Sequence, residues 1–253
     1  MGVLFGLIYQ SSAVVSTNNF SYSVPASQTS NYYTLEVTNV NGPVTLFPWG
    51  QAGFLINGTI TAKGLGSSTS QVNLVESNAN GNIMFEAKFP SNAAFLISQT
   101  YSVRINVFVP LSLRLAKLVV NSVNGLVQAN SLNVTGASLS SQNGNIDFTC
   151  SSCSTGGFWA QTINGNVAGT FSTPIIDGNY TMSSQNGNVQ MTVPSSSSFK
   201  LTASLVNGNL VPLNIVLNSQ TRTSATQILA TVGAGTGNVN LSTVNGQITI
   251  NGT

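Results

Sequence analysis

At 253 residues the chain can hold one large or two ordinary domains with a real core. It is 42% apolar but only 5% charged, against roughly 25% charged in ordinary soluble proteins. With 7 Lys plus Arg, 5 Asp plus Glu, no histidine and a net charge of +2, it excludes a nucleic-acid footprint, a basic lipid-binding patch and any histidine-dependent triad or metal site.

Polarity comes instead from Ser, Thr, Asn and Gln. Acid denaturation acts mainly through native carboxylates that must be protonated, so a chain with so few is expected to tolerate an acidic exterior. A neutral, heavily glycosylated surface is the alternative. Six Asn-x-Ser/Thr sequons run from end to end, at Asn19, Asn57, Asn133, Asn179, Asn240 and Asn251, and sugars there would hydrate a charge-poor surface.

The first fifteen residues, MGVLFGLIYQSSAVV, hold a short, nearly continuous apolar run. It is shorter than the roughly 20 residues of a membrane span and lacks the basic flank of a secretory signal. Val3, Leu4, Phe5, Leu7, Ile8, Tyr9, Val14 and Val15 therefore read as an extended strand seeking burial. Strands buried on both faces show such unbroken runs.

Alternating apolar and polar residues then predict strands in chain order. They lie at 33–37, 44–47, 54–62, 72–76, 83–89, 104–109, 117–120, 188–193, 214–218 and 247–250. No sustained helical periodicity occurs, so the fold class is all-β. The expected domains are 1–15 as a donor strand, 16–110 as a β-sandwich-like unit and 111–253 as a β-repeat unit.

The repeat is punctuated by Asn-Gly, at Asn41, Asn57, Asn80, Asn124, Asn143, Asn164, Asn186, Asn207, Asn245 and Asn251. From Asn124 to Asn207 the steps are 19, 21, 22 and 21 residues, an internal repeat. Four residues before and five after the Asn usually stand apolar pairs such as Leu139/Phe148 and Met182/Met191, while two before tends to be small or polar. This spacing fits stacked two-residue type I′ hairpins or the coils of a β-solenoid with Asn-Gly at a corner. A pilin-like β-sandwich is a further alternative.

Two stretches, 104–132 and 188–211, share a strand ending in Val-Pro, a polar step, another strand and Asn-Gly. They resemble the β-solenoid family of proposed adhesins, a resemblance that implies a cell-surface setting and no catalytic residues.

Cys150 and Cys153, in CSSCS, lack the context of a redox motif and the further ligands of a zinc site. They are expected to form a local disulfide in an oxidising exterior. Glu36, Glu76, Glu86, Asp147 and Asp177 supply the carboxylates for a glycosidase-like pair, but Asp147 and Asp177 read more simply as turn-flanking residues. Lys63, Lys88, Lys117 and Lys200 read as solvated lysines rather than cross-link donors. GAGTG at 233–237 lacks the Lys and Ser/Thr of a phosphate loop and reads as a turn. Neither an enzyme activity nor a cofactor or metal is expected.

An unpaired apolar strand on an all-β subunit is what donor-strand assembly requires. Burying six such side chains is worth roughly 10–20 kcal/mol before ordering costs. The charge-poor composition, the sequons and this strand together resemble the threads, glycosylated donor-strand filaments of thermoacidophilic archaea. That resemblance implies an extracellular homopolymer serving attachment. The other readings are a monomeric surface adhesin whose N-terminal strand pairs in cis and, more remotely, a polysaccharide-active β-helix enzyme.

Overall fold

The computed structural model describes residues 15–25, 33–64, 66–90, 99–153, 157–210, 214–224 and 226–253. Its elements are β1 (Val15–Val24), β2 (Tyr33–Asn41), β3 (Val44–Trp49), β4 (Phe54–Lys63), β5 (Asn73–Ala79) and β6 (Asn82–Lys88). There follow β7 (Thr100–Pro110), β8 (Leu115–Asn124), β9 (Val127–Asn143), β10 (Ile146–Cys153), β11 (Phe158–Asn164) and β12 (Val167–Phe171). The last are β13 (Asn179–Asn186), β14 (Val189–Val193), β15 (Phe199–Leu210), β16 (Ser219–Ser224), β17 (Gln227–Val232) and β18 (Gly237–Gly252). A single 3₁₀ turn at Thr69–Gln71, capped by Ser68, is the helical element among the described residues.

The alternatives left open by the repeat resolve to a solenoid. The Asn-Gly at Asn41, Asn124, Asn143, Asn164 and Asn186 each join a strand of one face to a strand of the facing one. Those at Asn207 and Asn245 turn the same corner within β15 and β18, and the strands on either side lie in parallel register with the neighbouring coils. On one face Leu118 pairs with Ala137, Ala137 with Phe158 and Phe158 with Tyr180. On the other, Val127 pairs with Ile146, Ile146 with Val167 and Val167 with Val189. We call these the first and second faces. Residues four before Asn-Gly on the first face and five after on the second point inward, so Leu139, Phe148, Met182 and Met191 are all buried. The apolar positions are those expected, but they meet across the coil rather than within a hairpin. An aromatic stack through Phe148, Phe158, Phe171 and Tyr180, with ring centres 4.6–6.0 Å apart, ties successive coils along the axis.

Two coils stand out of sequence order. β2 and β3 lie between β6–β7 and β8–β9, pairing in parallel with both. β18 lies between β13–β14 and β15. The parallel ladder therefore runs across Pro110 without interruption, and one hydrophobic cluster extends from Val24 to Ile250.

Antiparallel strands close both ends. β4 runs antiparallel to β7 and β1 to β4, while β5 pairs with β6. At the opposite end β17 pairs with β15 and β16 with β17. The β5–β6 connection is a genuine hairpin: Asn80 and Gly81 both have positive φ, 52° and 81°, as a type I′ turn requires. Asn57-Gly58 instead lies inside β4, where a side chain on Gly58 would run into the Arg104 carbonyl of β7 and then the Phe20 ring from β1.

The predicted strand at 214–218 does not form. Asn214 makes one isolated bridge to Asn251, and the chain then leaves for the β16–β17 hairpin. Its alternation is real, since Ile215 and Leu217 pack on the core while Val216 is exposed. The apolar pattern here seals the end of the core without a ladder.

Candidate functional site

The Asn-Gly corners stack into one edge of the solenoid. Asn143 Nδ2 donates to Asn124 Oδ1, Asn164 to Asn143, Asn186 to Asn164, Asn245 to Asn186 and Asn207 to Asn245, at 2.7–3.0 Å. Each asparagine amide thus bridges its coil to the neighbouring one. The glycines beside them stack as closely: a Cβ on Gly125, Gly144, Gly187 or Gly246 would enter the carbonyl group of the preceding glycine in the column. Here glycine is required by close approach of backbones.

Two residues before Asn143, Asn164, Asn186 and Asn245, a buried hydroxyl hooks onto the same column. Ser141, Thr162, Ser184 and Thr243 donate to the carbonyls of Gly125, Gly144, Gly165 and Gly187 at 2.8–3.3 Å. This is why that position is small and polar although it faces the interior.

The outward side of the first face is different in character. Counting back from the corner asparagines, the fifth residue of successive coils is Glu36, Val119, Ser138, Trp159, Thr181 and Asn240, placed side by side by the register. Trp159 is the large residue of this row and keeps 38% of its surface exposed. Two positions further back the same coils carry Lys117, Gly136, Gly157 and Asn179. The two glycines leave a shallow trough of about 420 Å³ beside the indole, closed by Lys117 at one end and Asn179 at the other, with Ser138 and Thr181 along it. Gly157 has φ of 85°, and a Cβ there would press on the Asn179 carbonyl. Aligning the coils on Asn-Gly exposes this row in the sequence, because one aromatic stands among short polar residues above two glycines.

The other singled-out residues are dispersed. Val3, Leu4, Phe5, Leu7, Ile8, Tyr9 and Val14 lie outside the described residues. Val15 opens β1 and pairs with Lys63 of its own chain. Among the sequons, Asn19, Asn179 and Asn240 are exposed and Asn57, Asn133 and Asn251 half-buried. Asn19 and Asn179 accept through Oδ1, from Thr59 and Asn238 respectively. Asn57 accepts from Asn106 at 3.2 Å, and Asn133 Oδ1 is buried with no partner.

Cys150 and Cys153 are disulfide-bonded, with Cα atoms 5.8 Å apart, at the end of β10. The carboxylates do not converge: Asp147 faces outward on the second face in β10, Asp177 lies in the 172–178 connection, and Glu36 is on the first face. Burial raises the Asp147 carboxyl above its ordinary range. Burial, and secondarily the charge of Asp177, raises the Tyr180 phenol. Lys88 pairs with Glu86 at 3.3 Å within β6. Among the described residues no cluster of carboxylates and cysteines could hold a metal, and no helix is long and apolar enough to cross a membrane.

Comparison with known proteins gives a family and several likenesses. The sequence profile of the family described as Toastrack DUF4097 matches residues 18–251. The structure is similar to that of a proposed cell adhesion protein from Clostridium sporogenes, with a TM-score of 0.49 and 10% identity, over 94% of this chain and 100% of that one. It is also similar to a proposed adhesin from Bacteroides fragilis, with a TM-score of 0.32 and 10% identity, over 95% and 98% of the two chains. Comparison with curated protein sequences finds no match.

Proposed function

The chain belongs to the Toastrack DUF4097 family, and from that premise we propose that it is a non-enzymatic cell-surface adhesin. The observation that carries this reading is the outward side of the first face, where short polar side chains surround one exposed indole above a glycine-floored trough. Parallel coils locked by an asparagine column make that face rigid. A rigid surface loses little conformational entropy on contact. A glycan on the exposed Asn19, in β1 and away from that face, would help keep the remaining charge-poor surface hydrated.

Beads coated with the full chain test this reading. Retention on a layer of cells or matrix polysaccharide, above that of beads coated with an unrelated β protein, is the expected outcome; equal retention overturns it.

A second reading is the filament subunit, in which the segment expected as a donor strand over 1–15 inserts into a neighbouring copy, less Val15, which pairs with Lys63 in β1. Its support is the position of β1, an end strand bonded on one side to β4 and directly preceded by that apolar segment. Electron microscopy of the full chain and of a 1–14 deletion separates the two. Filaments lost on deletion favour the subunit, and monodisperse particles in both favour the adhesin.

A further inference from the structure

We propose that the trough beside Trp159 is a saccharide-binding subsite for a pyranose polysaccharide that is not attached to this chain. The inference rests on the adhesin reading and names the chemistry of its ligand.

Four observations converge. First, Trp159 is 38% exposed on a sheet face whose neighbouring rungs carry Ser138 and Thr181 in register. Side chains this short leave the indole face open. A pyranose presents one surface of slightly positive C–H groups, which the negative face of an aromatic ring attracts. Second, Gly136 and Gly157 stand beside the indole, so the floor of the trough is backbone. Rungs are about 4.8 Å apart, and from Lys117 to Asn179 the trough spans four of them, three spacings or about 14 Å. That length suits a chain of linked rings laid across the strands. Third, the rim supplies the Ser138 and Thr181 hydroxyls, the Asn179 amide and the Lys117 ammonium, donors and acceptors for sugar hydroxyls. An apolar platform with a few convergent polar groups is the usual make-up of a small-molecule site.

Fourth, Asn179 Oδ1 is engaged by Asn238 Nδ2 at 3.1 Å, which fixes the amide plane at the end of the trough. Asn179 is also the sequon asparagine, so a glycan of this chain is the competing occupant. The length of the trough and the placing of Lys117 at its far end favour an external polymer over a first sugar held at Asn179.

The chain has two tryptophans, and Trp49 donates Nε1 to the Gly53 carbonyl in β3, on the other face. In the full chain carrying Trp49→Phe, all indole fluorescence therefore reports on Trp159. Titration with cellohexaose, chitohexaose and a hexagalacturonate is expected to give a saturable spectral change with at least one. Calorimetry should show binding of that sugar weakened about tenfold by Trp159→Ala and abolished by Gly136→Gln, which fills the trough. Thermal melts establish that each variant folds, and Thr181→Val gives a milder loss should Gly136→Gln unfold. Binding of none of the sugars, or binding unchanged in Trp159→Ala, overturns the proposal. So does binding seen only after Asn179→Gln in glycosylated material, which would make the chain's own glycan the occupant. Coated beads separate this inference from the reading beneath it. Retention equal for wild type and Trp159→Ala leaves the adhesin and removes the subsite; sugar binding without retention does the reverse.

Discussion

Asn245 Nδ2 donates to Asn186 Oδ1 at 2.7 Å although 59 residues separate them in the chain. The bond places the last strand between β13 and β15. Most coils follow their predecessor directly, and this one closes a gap that the chain has already passed.

Deletion of residues 238–253 should therefore do more than shorten the ladder. It removes the partner of both β13 and β15 and exposes Met182, Leu201 and their neighbours. We expect loss of the cooperative urea transition, read by circular dichroism, and exposed apolar surface read by dye binding. In the intact chain, β18 pairs non-locally and should limit the folding rate. Leu241→Ala should then slow folding markedly while raising the unfolding rate only a little, the signature of a strand already formed in the transition state.

The asparagine and glycine columns make a graded prediction. Asn164→Ala removes one donated and one accepted side-chain bond at an exposed position and should cost about 1–2 kcal/mol. Gly187→Ala forces a methyl group into the Gly165 carbonyl and should cost about 3 kcal/mol or more. Urea denaturation at constant m-value measures both. A smaller loss in Gly187→Ala than in Asn164→Ala would contradict the close-approach account of the corner.

The buried hydroxyls give a matched pair. Thr162 donates to the Gly144 carbonyl at 2.9 Å, and Thr162→Val should cost about 1 kcal/mol. Ser122, in the same interior row, is buried with no partner for its Oγ. Ser122→Ala should be neutral or slightly stabilising by the same measurement.

The pH dependence follows from Asp147. Its carboxyl is raised by burial, so the folded protein prefers the protonated form. That preference stabilises the fold fully below the unfolded carboxylate range, about 3.9, and is lost as pH rises through the higher folded value. Asp147→Asn should thus raise the Tm at pH 7 and leave it nearly unchanged at pH 3. A wild-type Tm that falls steeply between pH 5 and pH 2 would show that other carboxylates dominate.

Much of this architecture is written in the chain. The Asn-Gly spacing locates the corners, and positions such as Leu139 and Phe148 are buried as the alternation requires. Asn80-Gly81, Asn57-Gly58 and Asn164-Gly165 share a dipeptide but become a hairpin, a strand interior and a corner. What separates them is the tertiary neighbour: the Arg104 carbonyl and the Phe20 ring against Gly58, or another glycine against Gly165. The strand expected at 214–218 fails for a related reason, since periodicity reports which side of a segment is apolar and not whether a ladder is there to receive it. The Trp159 trough is invisible to motif reading because its residues come from four coils. It appears once those coils are laid in register.

The two edges of the solenoid differ in what they tolerate. At the Asn-Gly edge every backbone touches the next, and one added atom collides. At the other edge the chain turns in unlike ways: a bend at Ser131 with φ of 48°, the disulfide-closed end of β10, and the connections at 172–178 and 194–198. The repeat steps of 19 to 22 residues vary there. Descent with modification in such a chain would run along one margin: whole coils could be duplicated and the open turns lengthened, while the asparagine margin stayed unaltered. The trough beside Trp159 lies toward the margin that can change, so what the face recognises could diverge without disturbing the column that holds it together.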